Sequence, residues 1–111
     1  MAYDEELAQR IRELVAAEPG RTEKRMFGGL ATLLDGNMAV AASGQGGMLV
    51  RVTEADQDKA LAEEGAEPMV MRGKEMRGWV RVTTEAVAKQ ADLKRWVKRG
   101  VAGARAQPPK K

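Results

Sequence analysis

The sequence predicts an α+β fold, a mostly antiparallel curved sheet with an N-terminal helix, a short middle helix and a C-terminal helix. Three observations carry this expectation. Apolar residues recur at three- and four-residue spacing near the two ends of the chain, where they define one face of a helix. Between Thr22 and Val52, and again between Pro68 and Val82, short apolar runs alternate with turn residues in the manner of strands. The first of these runs are joined by hairpin-sized connections, too short for the crossover that parallel strands need.

Asp4 is placed to cap a first helix whose stripe is Leu7, Ile11, Leu14 and Val15, with an end expected near Glu18, because Pro19 and Gly20 stop helical geometry. Strands are then expected at Arg25-Met26-Phe27, Leu30 to Leu34, Asn37 to Ala42 and Met48 to Val52. Asp35-Gly36 reads as a two-residue hairpin turn, since that turn needs positive φ at both positions. Gly28-Gly29 reads as a bulge or bend between the first two strands. Thr53 with Asp56 forms a capping box for a short helix to about Ala62 that lies over a sheet edge or at the surface. Two more strands, Pro68 to Met71 and Trp79 to Val82, are joined by the polar stretch Arg72-Gly73-Lys74-Glu75. The last helix starts near Asp92 with Leu93, Trp96, Val97, Gly100, Val101 and Ala104 on its buried face. Gly100 inside that pattern implies close packing against another backbone.

A chain of 111 residues has the length of one domain, taken as residues 1–106, followed by a basic, frayed tail over 107–111. Phe27 is the only phenylalanine, so a core adapted to methionine is expected. Cysteine and histidine are both absent, which excludes disulfides, thiolate zinc sites and every mechanism that uses an imidazole, and Ser43 is the only serine. Carboxylate or lysine chemistry is the remaining enzymatic route, and nothing in the pattern selects a catalytic pair. No metal or cofactor is expected. The first apolar stretch is broken by charges, which fits neither a secretory leader nor a membrane span and makes the cytoplasm the expected compartment. The net charge of +3 is uneven: residues 92–111 carry +6, leaving −3 for the preceding part.

Arg25-Met26-Phe27-Gly28-Gly29, then Asp35-Gly36-Asn37-Met38-Ala39-Val40, Leu49-Val50-Arg51-Val52, Pro68-Met69, Met76-Arg77-Gly78-Trp79-Val80 and the ending from Leu93 through Trp96-Val97 to Pro108-Pro109-Lys110 together resemble the TfoX N-terminal domain family. The resemblance covers nearly the whole chain. It implies an α+β fold with a curved antiparallel sheet and flanking helices. It also implies a regulatory setting, because TfoX/Sxy proteins regulate natural competence genes and are thought to act with the catabolite activator protein. Full-length members carry a second, C-terminal domain, which a chain ending at Lys111 is expected to lack. The resemblance brings no catalytic residues with it.

Two surfaces are candidates for binding. Arg25, Met26, Phe27, Gly28 and Gly29 would form a partner-binding loop, set against the plainer reading of Phe27 as core and the glycines as a strand bend. Lys94, Arg95, Lys98, Arg99 and Arg105 form a basic helical face suited to phosphates, set against their role in complementing a helix dipole. Ser43-Gly44-Gln45-Gly46-Gly47 leads into a strand rather than a helix, so it reads as a hairpin loop and not a phosphate cradle. Met69, Met71 and Met76 read as core filling before an adaptable surface, and Trp79 and Trp96 as packing anchors. The leading expectation is a non-enzymatic binding or regulatory module with a protein partner, the transcription machinery being the class the resemblance suggests. Electrostatic nucleic-acid binding through the last helix is the alternative, an enzyme is third, and the oligomeric state stays open, a homodimer included.

Overall fold

The computed structural model describes residues 3–26 and 28–108. Helix α1 (Glu5–Val15) opens as its sequence dictates: the Asp4 carboxylate accepts from the N–H groups of Glu6 and Leu7 at 3.0 and 3.2 Å, satisfying two donors that the helix itself leaves unpaired. Leu7, Ala8, Ile11 and Val15 are buried. The helix ends short of Glu18, because a turn closed by the Glu18 N–H on the Val15 carbonyl already intervenes.

Four strands follow, β1 (Arg21–Met26), β2 (Gly29–Leu34), β3 (Asn37–Ala42) and β4 (Met48–Arg51). A 3-10 turn over Glu54–Asp56 leads to α2 (Gln57–Leu61), then β5 (Ala66–Met71), β6 (Lys74–Val82), a 3-10 turn over Glu85–Val87 and α3 (Gln90–Arg105). The strands make one six-stranded curved sheet in the order β1-β2-β3-β4-β6-β5, with every neighbouring pair antiparallel. Asp35 and Gly36 adopt φ of 52° and 85° in the turn predicted for them. Arg72 and Gly73 repeat that turn at 55° and 78°, so β6 starts at Lys74 and runs through residues expected to lie in a connector.

Strand β1 begins at Arg21, ahead of the expected Arg25. It is an edge strand whose residues from Arg21 to Arg25 are all exposed, so it has no apolar alternation to reveal it. Those charges also discourage pairing with another chain. Gly28 occupies the tight turn at φ 77°, and Gly29 is already in β2, where an added Cβ would strike the Ala42 carbonyl. The β1–β2 register is unbroken; the irregularity lies between β2 and β3, where Ala39 is the extra residue between the pairs Thr32–Val40 and Leu33–Met38.

Register divides the strand residues between two faces. Thr32, Val40, Val50 and Val80 form one row across the sheet, and Leu30, Ala42, Met48 and Val82 the next. These rows are buried together with residues from all three helices, among them Leu7, Ile11, Ala60, Leu93 and Trp96. The core is therefore chiefly valine, leucine and alanine; among the described methionines only Met48 is buried in it. The expectation of a methionine-adapted core fails because the others fall on the opposite face or on β5 and β6.

Helix α3 starts at Gln90, two residues before the expected Asp92. Trp96 is fully buried at 0% exposure. An added Cβ at Gly100 would lie 2.5 Å from the Ala39 carbonyl oxygen, and one at Gly103 would strike the Arg51 carbonyl, so the helix rests directly on the backbones of β3 and β4. The close packing expected at Gly100 is present. Below β4, Thr53 Oγ1 accepts from the Asp56 N–H at 3.2 Å, as the capping pattern predicts. The described part of the expected frayed tail is fastened, because Asn37 Nδ2 donates to the Pro108 carbonyl at 2.8 Å; residues 109–111 lie outside the described residues. Among the described residues no helix is long and apolar enough to cross a membrane.

Replacing Trp96 with alanine is expected to cost about 3–5 kcal/mol, from lost burial and an incompletely collapsed cavity, read as a lower urea midpoint at unchanged slope. Gly100→Ala sets two effects against each other. Helix propensity favours alanine by about 0.8–1.0 kcal/mol, whereas pushing a helix off a fixed carbonyl costs about 1–3 kcal/mol. The variant should unfold at lower urea than wild type, and a raised midpoint would contradict the close seating of α3.

Candidate functional site

The other set of strand residues faces away from the helices. Lys24, Ala31, Ala41, Leu49, Arg81 and Glu67 lie in one row across all six strands. Strand alternation puts Met26, Leu33, Met38, Arg51 and Trp79 on the same side. None of the apolar members belongs to the core beneath the helices. Ala31 and Ala41 are buried among their neighbours and floor the face, while Met26, Leu33, Met38, Leu49 and Trp79 are half-buried and rise from it. Two hollows share Met26 and Met38. One, of about 270 Å³, is walled by Leu33, Arg51 and Trp79; the other, of about 40 Å³, lies over Ala31, Ala41 and Leu49.

Arg51 stands at the end of this trough with its guanidinium 4.9 Å from the centre of the Trp79 ring. Its backbone is placed by Gly103, which admits α3 against the Arg51 carbonyl, while Gly78, at φ 93°, lies beside the guanidinium. Gly78 is itself held by its N–H to Gln57 Oε1 at 2.8 Å and by its carbonyl to the Val52 N–H at 2.9 Å. Arg51 Nε is buried and has no hydrogen-bond acceptor among the described residues.

Of the proposed loop residues that are described, only Met26 contributes a side chain to this trough. Gly29 adds backbone at its rim, Arg25 is exposed on the edge strand, Gly28 is exposed in the turn, and Phe27 lies outside the described residues. The loop is thus the margin of a larger surface.

The basic helical face is divided. Arg95 grips Glu63 with two bonds at 2.7 and 3.2 Å and also donates to Asp92 at 2.9 Å. Arg99 bridges Asp56 at 3.0 Å and Glu63 while lying 4.6 Å from the centre of the Trp96 ring. Arg105 turns the other way, to Asp35 and Glu18, both at 3.0 Å. Lys94 and Lys98 are exposed and in no ion pair among the described residues. Three of the five cations therefore tie α3 to the rest of the fold.

The remaining sequence candidates are placed as follows. The Ser43–Gly47 segment is a hairpin loop that uses its own N–H groups, on Ser43 Oγ, the Ser43 and Gly47 carbonyls and Thr84 Oγ1. Met71 and Met76 do not fill the core: with Val70 they are exposed on the part of the β5–β6 ribbon that extends beyond the end of β4. Trp79 belongs to the helix-free face, and Trp96 alone is a core anchor. Glu63, which lines a hollow with Glu64, Glu85 and Asp92, has its carboxyl held below the usual carboxylate range, chiefly by the Arg95 hydrogen bonds and then by Arg99, against the opposing effect of partial burial. An acid so committed is suited to structure rather than proton transfer. Among the described residues no group of three or more acidic side chains could hold a metal ion.

The pairing of Arg51 with Trp79 was not singled out from the sequence. Its signal is the second apolar set of β2 to β4, which becomes informative only when the cross-strand neighbours are known.

The model of the TfoX N-terminal domain matches residues 13–104. No curated protein and no solved structure matches the chain.

Glu63→Gln is expected to cost about 1–2 kcal/mol near neutral pH, because two partly shielded guanidinium groups lose their shared carboxylate. The carboxyl is depressed in the folded state, so its contribution is present above the ordinary glutamate value of about 4.3 and is lost as pH falls through the lower folded value. Denaturation midpoints of wild type and variant should converge on acidification; a gap that stays constant would show that the pairing is not what stabilises.

Proposed function

Because the chain belongs to the TfoX N-terminal domain family, we propose that it is a non-catalytic regulatory module that docks a protein partner on the helix-free face of its sheet. One observation carries this reading. Met26, Leu33, Met38, Leu49 and Trp79 rise from a sheet face on which no core cluster forms, while the opposite face is sealed by three helices. A grouped apolar surface of this kind is a mark of partner binding, and unbranched methionines allow it to adapt to what it meets. The transcription machinery is the partner class suggested by the regulatory setting, and the cytoplasm is the compartment where it would be met. Composition supports the non-catalytic part, since a chain without histidine or cysteine lacks the commonest acid-base group and the thiolate nucleophile.

The alternative is nucleic-acid contact through α3, favoured by the exposure of Lys94 and Lys98. With Arg95, Arg99 and Arg105 engaged in ion pairs, that reading rests on Lys94 and Lys98, which are in no ion pair among the described residues. It predicts duplex-DNA binding whose salt dependence is no steeper than about −1.8 in log–log form, from two phosphates at about −0.9 each. A slope near that for all five cations would show the arginines leaving their carboxylates.

Photo-cross-linking in cells tests the leading reading. A benzoylphenylalanine at position 38 or 33 should capture a discrete protein adduct, whereas the same group at position 98 should not. An adduct of twice the chain's own mass would identify the partner as a second copy. Capture only from position 98 would overturn the sheet-face assignment.

A further inference from the structure

We infer that Arg51 and Trp79 form a carboxylate-selecting pocket at one end of the helix-free face, and that its occupant is an extended acidic-apolar segment of a partner protein. This deepens the protein-docking reading and rests on it.

The first ground is the state of Arg51. Five arginines among the described residues are half-buried: Arg10, Arg12, Arg51, Arg81 and Arg99. Arg10 donates to the Ala88 carbonyl, Arg12 to Glu23, Arg81 to Ser43 Oγ and the Gly46 carbonyl, and Arg99 to Asp56 and Glu63. Arg51 donates to nothing among the described residues, and its Nε is shut away from solvent. A half-buried guanidinium without acceptors bears a desolvation cost that stacking on an indole offsets only in part. A bound carboxylate would complete it, because the guanidinium fork matches a carboxylate with two parallel hydrogen bonds.

The second ground is charge. On the row that crosses this face the cations are Lys24 and Arg81, with Glu67 the one acid, and Arg81 is already 4.0 Å from it. With Arg51 added, the face favours an acidic visitor.

The third ground is shape. The hollow beside Arg51 adjoins the smaller hollow over Ala31, Ala41 and Leu49, with Met26 and Met38 lining both. A single small acid would fill only one end. An extended segment places alternate side chains on one side, so a glutamate or aspartate can meet Arg51 while an apolar residue two positions along meets the methionines.

The probe is a capped pentapeptide with leucine, glutamate and leucine at alternate positions and serine between them. Its twin carries glutamine in place of glutamate, and phenylacetate serves as the small acid. Binding is followed by the indole N–H resonance of Trp79, assigned with Trp79→Phe, in the intact chain. The inference expects the glutamate peptide to shift that resonance, the glutamine twin to bind about tenfold more weakly, and Arg51→Gln to remove the difference. Arg51→Lys should recover only part of it, since a point charge cannot reproduce the fork. An unchanged urea midpoint in Arg51→Gln would separate lost recognition from lost folding. Equal binding of the twins would overturn carboxylate selection while leaving protein docking on the face intact. Phenylacetate binding as tightly as the peptide would overturn the extended occupant. No shift of Trp79 at millimolar peptide, with the position 38 cross-link retained, would overturn the pocket and spare the docking reading; loss of that cross-link as well would remove both.

Discussion

Two glycines on α3 allow helix and sheet to meet backbone to backbone, and the remaining architecture follows from that contact. At Gly100 the helix touches the bulged residue Ala39, and at Gly103 it touches the Arg51 carbonyl. This seating drives Trp96 and Leu93 among the valines of β3, β4 and β6 and gives α1 a wall to lean on. It also fixes the chain at Arg51, so the same contact that organises the core under the helices determines where a guanidinium appears on the far side. Core and candidate site are two faces of one constraint.

Charge is partitioned along the same lines. Three of the seven cations in the last part of the sequence are used within the molecule, where Arg95, Arg99 and Arg105 fasten α3 to the segment that closes α2 and to the β2–β3 turn. Arg21, Arg25 and Arg72, in no ion pair among the described residues, are all exposed to solvent. Arg51 differs by being confined and, among the described residues, without an acceptor, next to side chains that are themselves only half-covered. Every other half-buried arginine among the described residues has an acceptor, and that gives the exception its weight.

The elements with strong local chemistry were legible in the sequence: the Asp4 cap, the Asp35-Gly36 turn, the Thr53 cap, the apolar stripes of α1 and α3, and the need for close packing at Gly100. The misplacements share a cause. Strand β1 and the first half of β6 escape the apolar pattern because their side chains are exposed and their pairing rests on backbone hydrogen bonds, which leave no hydrophobic period behind. Nothing in the sequence places Met71 and Met76 outside the core, since a methionine carries no mark of its face. The site was hidden for the same reason. In β2, β3 and β4 both alternating sets are apolar, so pattern alone does not say which set the helices cover. The basic helix misled in the opposite direction, because its partners Glu63, Asp56, Asp35 and Glu18 are distant in sequence and meet it only in the fold.

The strand order β4-β6-β5 has a consequence for how the chain reaches its native state. Strands β1 to β4 are consecutive neighbours, and β5 with β6 is a hairpin closed by its own two-residue turn, so each piece can form from contacts local in sequence. The seam between them, β4 with β6, is the one sheet pairing that joins distant segments, and its closure entropy must be met by the burial that accompanies it. Trp79 sits opposite Arg51 on that seam. The pair therefore comes together only when the two pieces of the sheet join, which makes the indole of Trp79 a natural reporter of that closure.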